Sequence, residues 1–332
     1  MTIRTPGIKV IRDAVELACR APSLHNSQPW RWVVDGSTLH LFADVGRLMS
    51  AADPLGREII LSCGAALDHL VAAMAAVGWH TAVRRFPDQY EPFHVAAMDF
   101  RPATSGINAV GMVRADAIRR RRTDRRPFGP PDDWQRFEIV LRQAMIPYQV
   151  MFDVVLDDAR LRLAEASRVT EEIRQNDPTY DAELSWWTSP FVRDEGIPQS
   201  ALVSATEAAR IDVAREFPTT AISEKANDDG VDRAKIVVLS THHEDARLDV
   251  LRCGEALSSL LLECTAAGLA TCTLTHMTEL ASSREIVRQL TGQHGLPQVL
   301  VRVGKTPTGT SGSVAETPRR PLIDVLEIRD WT

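Results

Sequence analysis

LSCGAALDHLVAAMAAVGWHT, Leu61 to Thr81, lies over LRCGEALSSLLLECTAAGLAT, Leu251 to Thr271, at an offset of 190 residues. Leu61, Cys63, Gly64, Ala66, Leu67, Leu70, Ala76, Gly78 and Thr81 each meet the same residue type. Alanine-rich apolar helices resemble one another cheaply, but the CGxAL phase together with the closing glycine is more specific. Gly64 and Gly254 each cost a helix about 1 kcal/mol relative to alanine. A close crossing of two helices, where no side chain fits, would offset that cost. The pattern predicts two long helices, Arg57 to Val77 and Arg247 to Ala267, packed together at the centre of a duplicated unit.

The flanking chain reads as both helix and strand. Ile8 to Arg20 has apolar residues at helical spacing, and Pro22 stops that helix. Arg31 to Val34 and Leu39 to Phe42 read as a hairpin around Asp35-Gly36. Val83 to Phe86 and Phe93 to Phe100 are strand candidates, and Pro102 to Gly111 reads as a linker. Asp132 to Ala144 is a helix candidate. Gln149 to Leu156, Lys235 to Ser240 and Pro297 to Val303 are strand candidates. Between the first and second of these runs lies Asp157 to Ala234, with a helix expected at Leu161 to Arg174 and another at Ser200 to Arg210. That segment carries Trp186, Trp187, Phe191 and Phe217, aromatic rings that call for an apolar surface to cover.

At 332 residues the chain has room for two ordinary domains or one fold built from two halves. A hydrophobic share of 44% with 25% charged residues is that of a soluble globular protein. A net charge of -6 argues against nucleic acid as the main partner. Ile59 to Trp79 is apolar enough to raise a membrane span, but Asp68 and His69 interrupt it, which favours a buried helix. Cys19, Cys63, Cys253, Cys264 and Cys272 form no CxxC pair, and their odd number reads as reduced thiols. With no signal-type apolar core at the N-terminus, the expectation is a cytoplasmic protein.

Two stretches carry chemistry. Arg119 to Phe128, RRRRTDRRPF, places six arginines within eight residues of an acidic chain. Guanidinium forks match phosphate oxygens and stay charged at any working pH, so a bound phosphate is a natural counter-ion. Ala21 to Trp30, APSLHNSQPW, brackets Ser23, His25, Asn26, Ser27 and Gln28 between two prolines, giving a loop rich in directed hydrogen-bonding groups. His242-His243-Glu244, and Cys272 with His276, lack a third ligand at sensible spacing, so no metal site is expected. Neither GxGxxG nor GxxxxGK[ST] occurs.

These residues resemble a known family. APSLHNSQPW resembles the PSxxNxQPW element of flavin-dependent nitroreductases, and RRTDRRPF resembles their RRSxRxF element, with Thr123 at the serine position and one extra residue before Phe128. Together with the second long helix, its GLxT continuation, and the WW, EGIP, CGEAL and TPRRP elements, the chain resembles the Acg family within that superfamily. The resemblance implies an α+β fold with mixed β-sheet and long central helices, doubled within one chain into a pseudo-dimer. Residues 1–108 form the first half and 109–332 the second, with a lid insertion at about 157–234.

It also implies one FMN per chain. The first half keeps the loop of Pro22, Ser23, Asn26 and Gln28, and the second keeps Arg121, Arg122, Thr123 and Arg125. Thr275 and His276 fall where the family approaches the flavin ring, and Arg319 and Arg320 where its C-terminal basic residues reach the phosphate. The implied activity is NAD(P)H-dependent reduction of nitroaromatic or quinone-like acceptors, with no catalytic side chain named because the flavin carries the hydride. The alternative is a protein that binds and sequesters FMN beneath a lid at Trp186 to Pro198. A lid packed instead on the far side of the sheet stands equally with that placement.

A chain holding both halves of the usual interface should stand alone. Light scattering at low micromolar concentration is expected to give a mass near 36.7 kDa. An obligate dimer would show that the interface is not internal.

Overall fold

The computed structural model describes residues 5–104, 109–189, 191, 193–218, 230–242, 246–292, 294–306 and 314–330. His243 and Glu244 of the weighed metal motif, residues 105–108 of the expected linker, Pro190 and Val192 of the tryptophan segment, and residues 219–229 of the expected insertion lie outside them.

The helices are α1 (Ile8–Ala18), α2 (Arg57–Ala76), α3 (Ala109–Arg120), α4 (Trp134–Met145), α5 (Arg160–Gln175), α6 (Pro178–Trp187), α7 (Ala205–Ala208), α8 (Arg247–Ala266), α9 (His276–Glu279), α10 (Ala281–Leu290) and α11 (Leu322–Val325). The strands are β1 (Trp30–Asp35), β2 (Thr38–Ala43), β3 (Trp79–Arg85), β4 (His94–Pro102), β5 (Met151–Val154), β6 (Lys235–Thr241), β7 (Ala270–Leu274), β8 (Leu296–Gly304) and β9 (Leu326–Ile328). They form two sheets, ordered β3-β4-β2-β1-β9 and β5-β6-β8-β7. The fold is α+β, with a long helix following the early strands of each sheet.

The β1–β2 hairpin pairs Trp30 with Ala43 and Asp35 with Thr38, and Gly36 supplies the positive φ its tight turn needs. The first sheet is antiparallel except at its end, where β9 runs parallel to β1 with Trp32 opposite Leu326. The C-terminus thus returns to the sheet built by the first residues. The sequence had no signal for this, because three residues carry no periodicity. The second sheet is antiparallel throughout, and its β7 supplies the strand behind the GLxT continuation.

Between the sheets, α2 crosses α8. A Cβ on Gly64 would meet the Leu251 carbonyl oxygen and stand 2.9 Å from the Gly254 Cα, and one on Gly254 would meet the Leu61 carbonyl oxygen. The two backbones touch, which accounts for a glycine in the middle of each helix. Cys63 and Cys253 flank the crossing as buried thiols, and burial pushes both up from the usual range. The α2 helix is long and apolar enough to span a bilayer by composition, but here it is the core helix, buried along most of its length. Asp68 sits inside that core. It accepts from Arg114 Nη2 at 2.7 Å, from the Tyr148 hydroxyl at 2.8 Å and from the Ser258 hydroxyl.

Two expected elements differ. The linker shrinks, because β4 runs to Pro102 and α3 begins at Ala109, carrying Arg119 and Arg120 in its last turn, where cations suit the helix dipole. The helix expected at Ser200 to Arg210 is broken into a 3-10 turn, Gln199–Ala201, and α7. Ser204 and Glu207 form a reciprocal capping box, so Ser204 starts a new helix instead of continuing one.

Replacing either crossing glycine by alanine should destabilise the chain despite the gain in helix propensity. We expect Gly64→Ala and Gly254→Ala each to cost about 3 kcal/mol, the upper range for overpacking, read as a lower urea midpoint with unchanged slope. An unchanged or higher midpoint would show that the helices can move apart at no cost.

Candidate functional site

A cleft of about 830 Å³ opens beside the helix crossing. Its floor is the first turns of α2, with Glu58, Leu61 and Ser62, and one side is the 22–26 loop. The 121–125 segment and the end of β7 form a second side, the tail at Thr317 and Arg319 a third. The remaining wall comes from one face of α5 and the stretch from Ile197 to Phe217.

The 22–28 loop is held in an unusual backbone. His25, Asn26 and Gln28 have φ of 48°, 58° and 50°, a left-handed region that costs non-glycine residues about 1 kcal/mol or more each. Side-chain bonds hold it there. Ser23 Oγ accepts from the Gln28 backbone N–H at 2.9 Å. The Asn26 amide donates to the Gly196 and Pro318 carbonyls at 2.9 and 3.0 Å and accepts from Arg319 at 2.9 Å. The Gln28 amide donates to the Asp194 carbonyl at 2.9 Å and accepts from the Arg320 backbone N–H at 2.9 Å. Two amides therefore lock together the loop, residues 194–196 and the C-terminal tail.

Those bonds also place the tryptophan segment. The Asp194 and Gly196 carbonyls meet the loop amides, and Ile197 is in the cleft lining. Trp187 is buried against Met49, Ala52, Tyr180 and Leu184, with Phe217 packed beside them. The expectation that all four aromatics cover an apolar surface fails for two. Trp186 is 61% exposed and Phe191 89% exposed. Adjacent residues on a helix project about 100° apart, so burying Trp187 leaves Trp186 turned outward, and Phe191 lies beyond the end of α6.

Of the residues singled out in the sequence, Pro22, Ser23, Asn26, Arg121, Thr123, Arg125, Thr275 and Arg319 line the cleft. Gln28, Arg122, His276 and Arg320 do not. Gln28 is fully buried behind the loop. Arg122 turns to Glu316 and to the Arg119 and Arg121 carbonyls. Arg320 reaches the carbonyls of Gln28 and Asp324. His276 is buried with its Nε2 2.9 Å from Ser167 Oγ, and burial first, then Arg215 and Arg174, hold it neutral.

One end of the cleft is strongly cationic. Arg121 and Arg319 both donate to the Arg20 carbonyl, at 3.1 Å each, which brings the two guanidiniums together. Burial, then the neighbouring guanidiniums, pushes Arg121 down to about 9, and burial with Arg20 pushes Arg319 down to about 10. The Nε atoms of Arg20, Arg121 and Arg319 are buried and have no hydrogen-bond partner. Arg121 and Arg319 line the cleft and neither has an ion-pair partner among the described residues, so this end carries uncompensated positive charge suited to an anion. Arg125 lies nearby over the Phe217 ring, 5.1 Å from its centroid.

The other end holds carboxyls that the sequence reading missed. Burial, acting first, pushes Glu58 and Glu171 up to about 7 each. Arg215 bridges Glu279, Tyr180 and Thr275 Oγ1. His25 also lines the cleft and is held neutral by burial, with Arg215 and Arg125 adding to the effect. One sequence signal could have found Glu171. Ala164, Ser167 and Glu171 share one face of α5 at spacings of three and four, and that face mixes small and polar residues with no solvent-type charge pattern.

The Nitroreductase family profile matches residues 150–305, from β5 through β8. Over 320 residues the chain is 51% identical to the Mycobacterium tuberculosis (strain H37Rv) protein named "Putative NAD(P)H nitroreductase acg", covering 96% of each. It is 50% identical over 324 residues to an uncharacterized protein of the same strain, covering 96% of this chain and 93% of that one. Among solved structures, the FMN-dependent nitroreductase NfnB from Mycobacterium smegmatis in complex with NADPH aligns at a TM-score of 0.39 and 17% identity, covering 63% of this chain and 96% of that one. With half of all positions shared along almost the entire length of its relatives, the chain belongs to the Acg family of nitroreductases.

Proposed function

We propose that the chain is an FMN-binding oxidoreductase that uses NAD(P)H to reduce nitroaromatic or quinone-like acceptors. The observation that carries it is the pair of buried arginines Arg121 and Arg319, side by side in the cleft lining and without an ion-pair partner among the described residues. Such a pair suits a phosphate dianion, and the cleft is within the range that encloses a small cofactor. When bound, the flavin supplies the redox chemistry, with the protein left to bind and orient it.

In this reading Arg121, Arg319 and Arg125 hold the phosphate, each by charge-assisted donors. Pro22, Ser23, Asn26, Thr123 and Thr275 border the ring. Gln28, Arg122, His276 and Arg320 support them from behind. Residues 1–108 and 109–332 are two fused halves, whose matched helices α2 and α8 stand where two subunits would meet, so a single chain completes one flavin site. NAD(P)H as donor follows the name of the 51% identical relative. Five buried free thiols suit a reducing, cytoplasmic compartment.

A second reading has its own support. The insertion walls the cleft and is tied to the loop through Asn26 and Gln28, so the protein would bind FMN and hold it shielded. Hydride transfer requires the reacting atoms within roughly 3–3.5 Å, which a closed wall denies to a nicotinamide.

Two measurements check these readings. Arg121→Ala and Arg319→Ala should each weaken FMN binding by about 1.5–3 kcal/mol, as for charged hydrogen bonds, in a flavin-fluorescence titration. Riboflavin, without the phosphate, should bind less well and be indifferent to both changes. Equal binding of FMN and riboflavin would remove the phosphate assignment. Under anaerobic conditions NADPH should bleach the FMN-loaded protein within seconds. Bleaching by dithionite alone would favour the shielding protein.

A further inference from the structure

His25 stands in the turn between Ser23 and Asn26 and lines the cleft. Its backbone is left-handed, at φ 48°. Asn26 and Gln28, strained in the same sense, direct their amides to the tail and to residues 194–196. The His25 side chain makes no hydrogen bond to any described residue, so no polar contact of its own offsets its strain. Backbone strain of this kind persists where the surroundings over-determine it, and it gathers at functional sites.

Neither ring nitrogen is sealed within the protein. The buried side-chain atoms without a partner include Nδ1 of His276 and Nε2 of His69 but no atom of His25. Both nitrogens of His25 are therefore open to the cleft, although the residue as a whole is 6% exposed. By contrast, each carboxyl and guanidinium in the lining makes a hydrogen bond or ion pair with the protein. The imidazole meets the Phe217 ring edge to face, with centroids 6.1 Å apart and planes at 86°. Burial first, then Arg215 and Arg125, hold it neutral. Arg215 is itself engaged by Glu279, Tyr180 and Thr275, and Arg125 donates to the Ala201 carbonyl at 3.2 Å. A neutral imidazole carries one N–H donor and one acceptor nitrogen. In that state it can polarise an oxygen without giving up its proton.

We propose that His25 is a catalytic residue of the acceptor reaction, donating a hydrogen bond from its imidazole N–H to the acceptor oxygen on which negative charge develops. Quinone and nitro oxygens accept and do not donate, so the N–H is the part of the ring that meets them. Two-electron reduction of a quinone adds one hydride, with its electron pair, from the reduced cofactor and one proton from solvent. Between the two additions one oxygen is anionic, and His25 stabilises it while keeping its own proton. A donor fixed in place before the charge appears has little to reorganise, which is why such groups weigh heavily in sites that exclude water. The assignment deepens the flavin reading and rests on it for the hydride. The hydrogen bond itself requires only an oxygen acceptor in the cleft.

The test uses the full chain as native protein, as His25→Phe and as His25→Gln. Phenylalanine keeps a ring against Phe217 and removes both nitrogens, and glutamine restores an N–H donor of similar reach. With FMN bound and reduced by dithionite in the absence of oxygen, reoxidation is followed by stopped flow with menadione and with ferricyanide. Menadione develops charge on an oxygen, whereas ferricyanide takes single electrons at iron and calls for no donor. His25→Phe should lose about 100-fold with menadione, the lower range for removal of one such donor, with the ferricyanide rate near native. His25→Gln should recover most of that loss. A menadione rate unchanged in His25→Phe would overturn the assignment, as would an equal loss with both oxidants.

Nuclear magnetic resonance of the native chain, labelled at its histidine ring nitrogens, reads the hydrogen bond apart from the flavin. The His25 signal is the one missing from either variant. With or without FMN, menadione should move that N–H proton downfield, and methylnaphthalene, its oxygen-free counterpart, should not. Absence of the shift would overturn the assignment. The shift in a chain that binds no FMN would retire the flavin reading alone. FMN binding without the shift would retire the role of His25 alone.

Discussion

The structure depends on one contact, the meeting of the α2 and α8 backbones at Gly64 and Gly254. Van der Waals contact between two backbones sets the closest distance at which helices can cross, and nothing larger than a hydrogen fits between them here. That distance fixes how far apart the two sheets stand. It also fixes where the first turns of α2 lie relative to β7, and so the floor of the cleft. Glycine weakens each helix as an isolated element. Packing along both helices, from Leu61 to Met74 and from Leu251 to Leu262, restores more than is lost.

The same crossing contains a polar lock. Asp68, inside an apolar helix, is satisfied by Arg114, Tyr148 and Ser258, three residues from three different helical segments. A buried carboxylate without those partners would be strongly unfavourable, so the lock admits one arrangement of α2, α3 and α8. At offset 190 Asp68 falls on Ser258. Had α2 met a copy of itself, two buried carboxylates would face each other. The unlike pair therefore favours α2 meeting α8, a preference that shape alone would not give.

Charge of both signs lines the cleft. Arg121 and Arg125 from the 121–125 segment and Arg319 from the tail border it, as do Glu58 of α2 and Glu171 of α5, with Arg215 standing among the carboxyls. Arg121 and Arg319 have no ion-pair partner among the described residues, which leaves positive charge uncompensated there. The 22–28 loop is strained at three residues and held by amides that reach residues 194–196 and the tail. Loss of either tie would therefore reshape the lining.

Much of this was legible in the sequence, for a physical reason in each case. Helical periodicity and a repeated glycine give the two central helices, because close crossing tolerates no other residue. Asp35-Gly36 gives the hairpin, because few residues take up a positive φ. The arginine run and the proline-bracketed loop mark the cleft, because groups that dense in charge or amides need partners. Tertiary structure alone decided the rest. The run of arginines is divided, with Arg121 and Arg125 in the cleft and Arg122 turned to Glu316, because an extended segment sends successive side chains to opposite sides. Gln28 and Asn26, equivalent as amides, take different places because left-handed backbone at each rotates one inward. Leu326 to Ile328 joins the first sheet through hydrogen bonds to a strand some 290 residues earlier, a pairing no local pattern records. Glu171 and Arg215 read as ordinary surface charge along the chain. They become cleft residues because α5 and the segment after α7 fold back against β7, and only that packing takes their charges out of water.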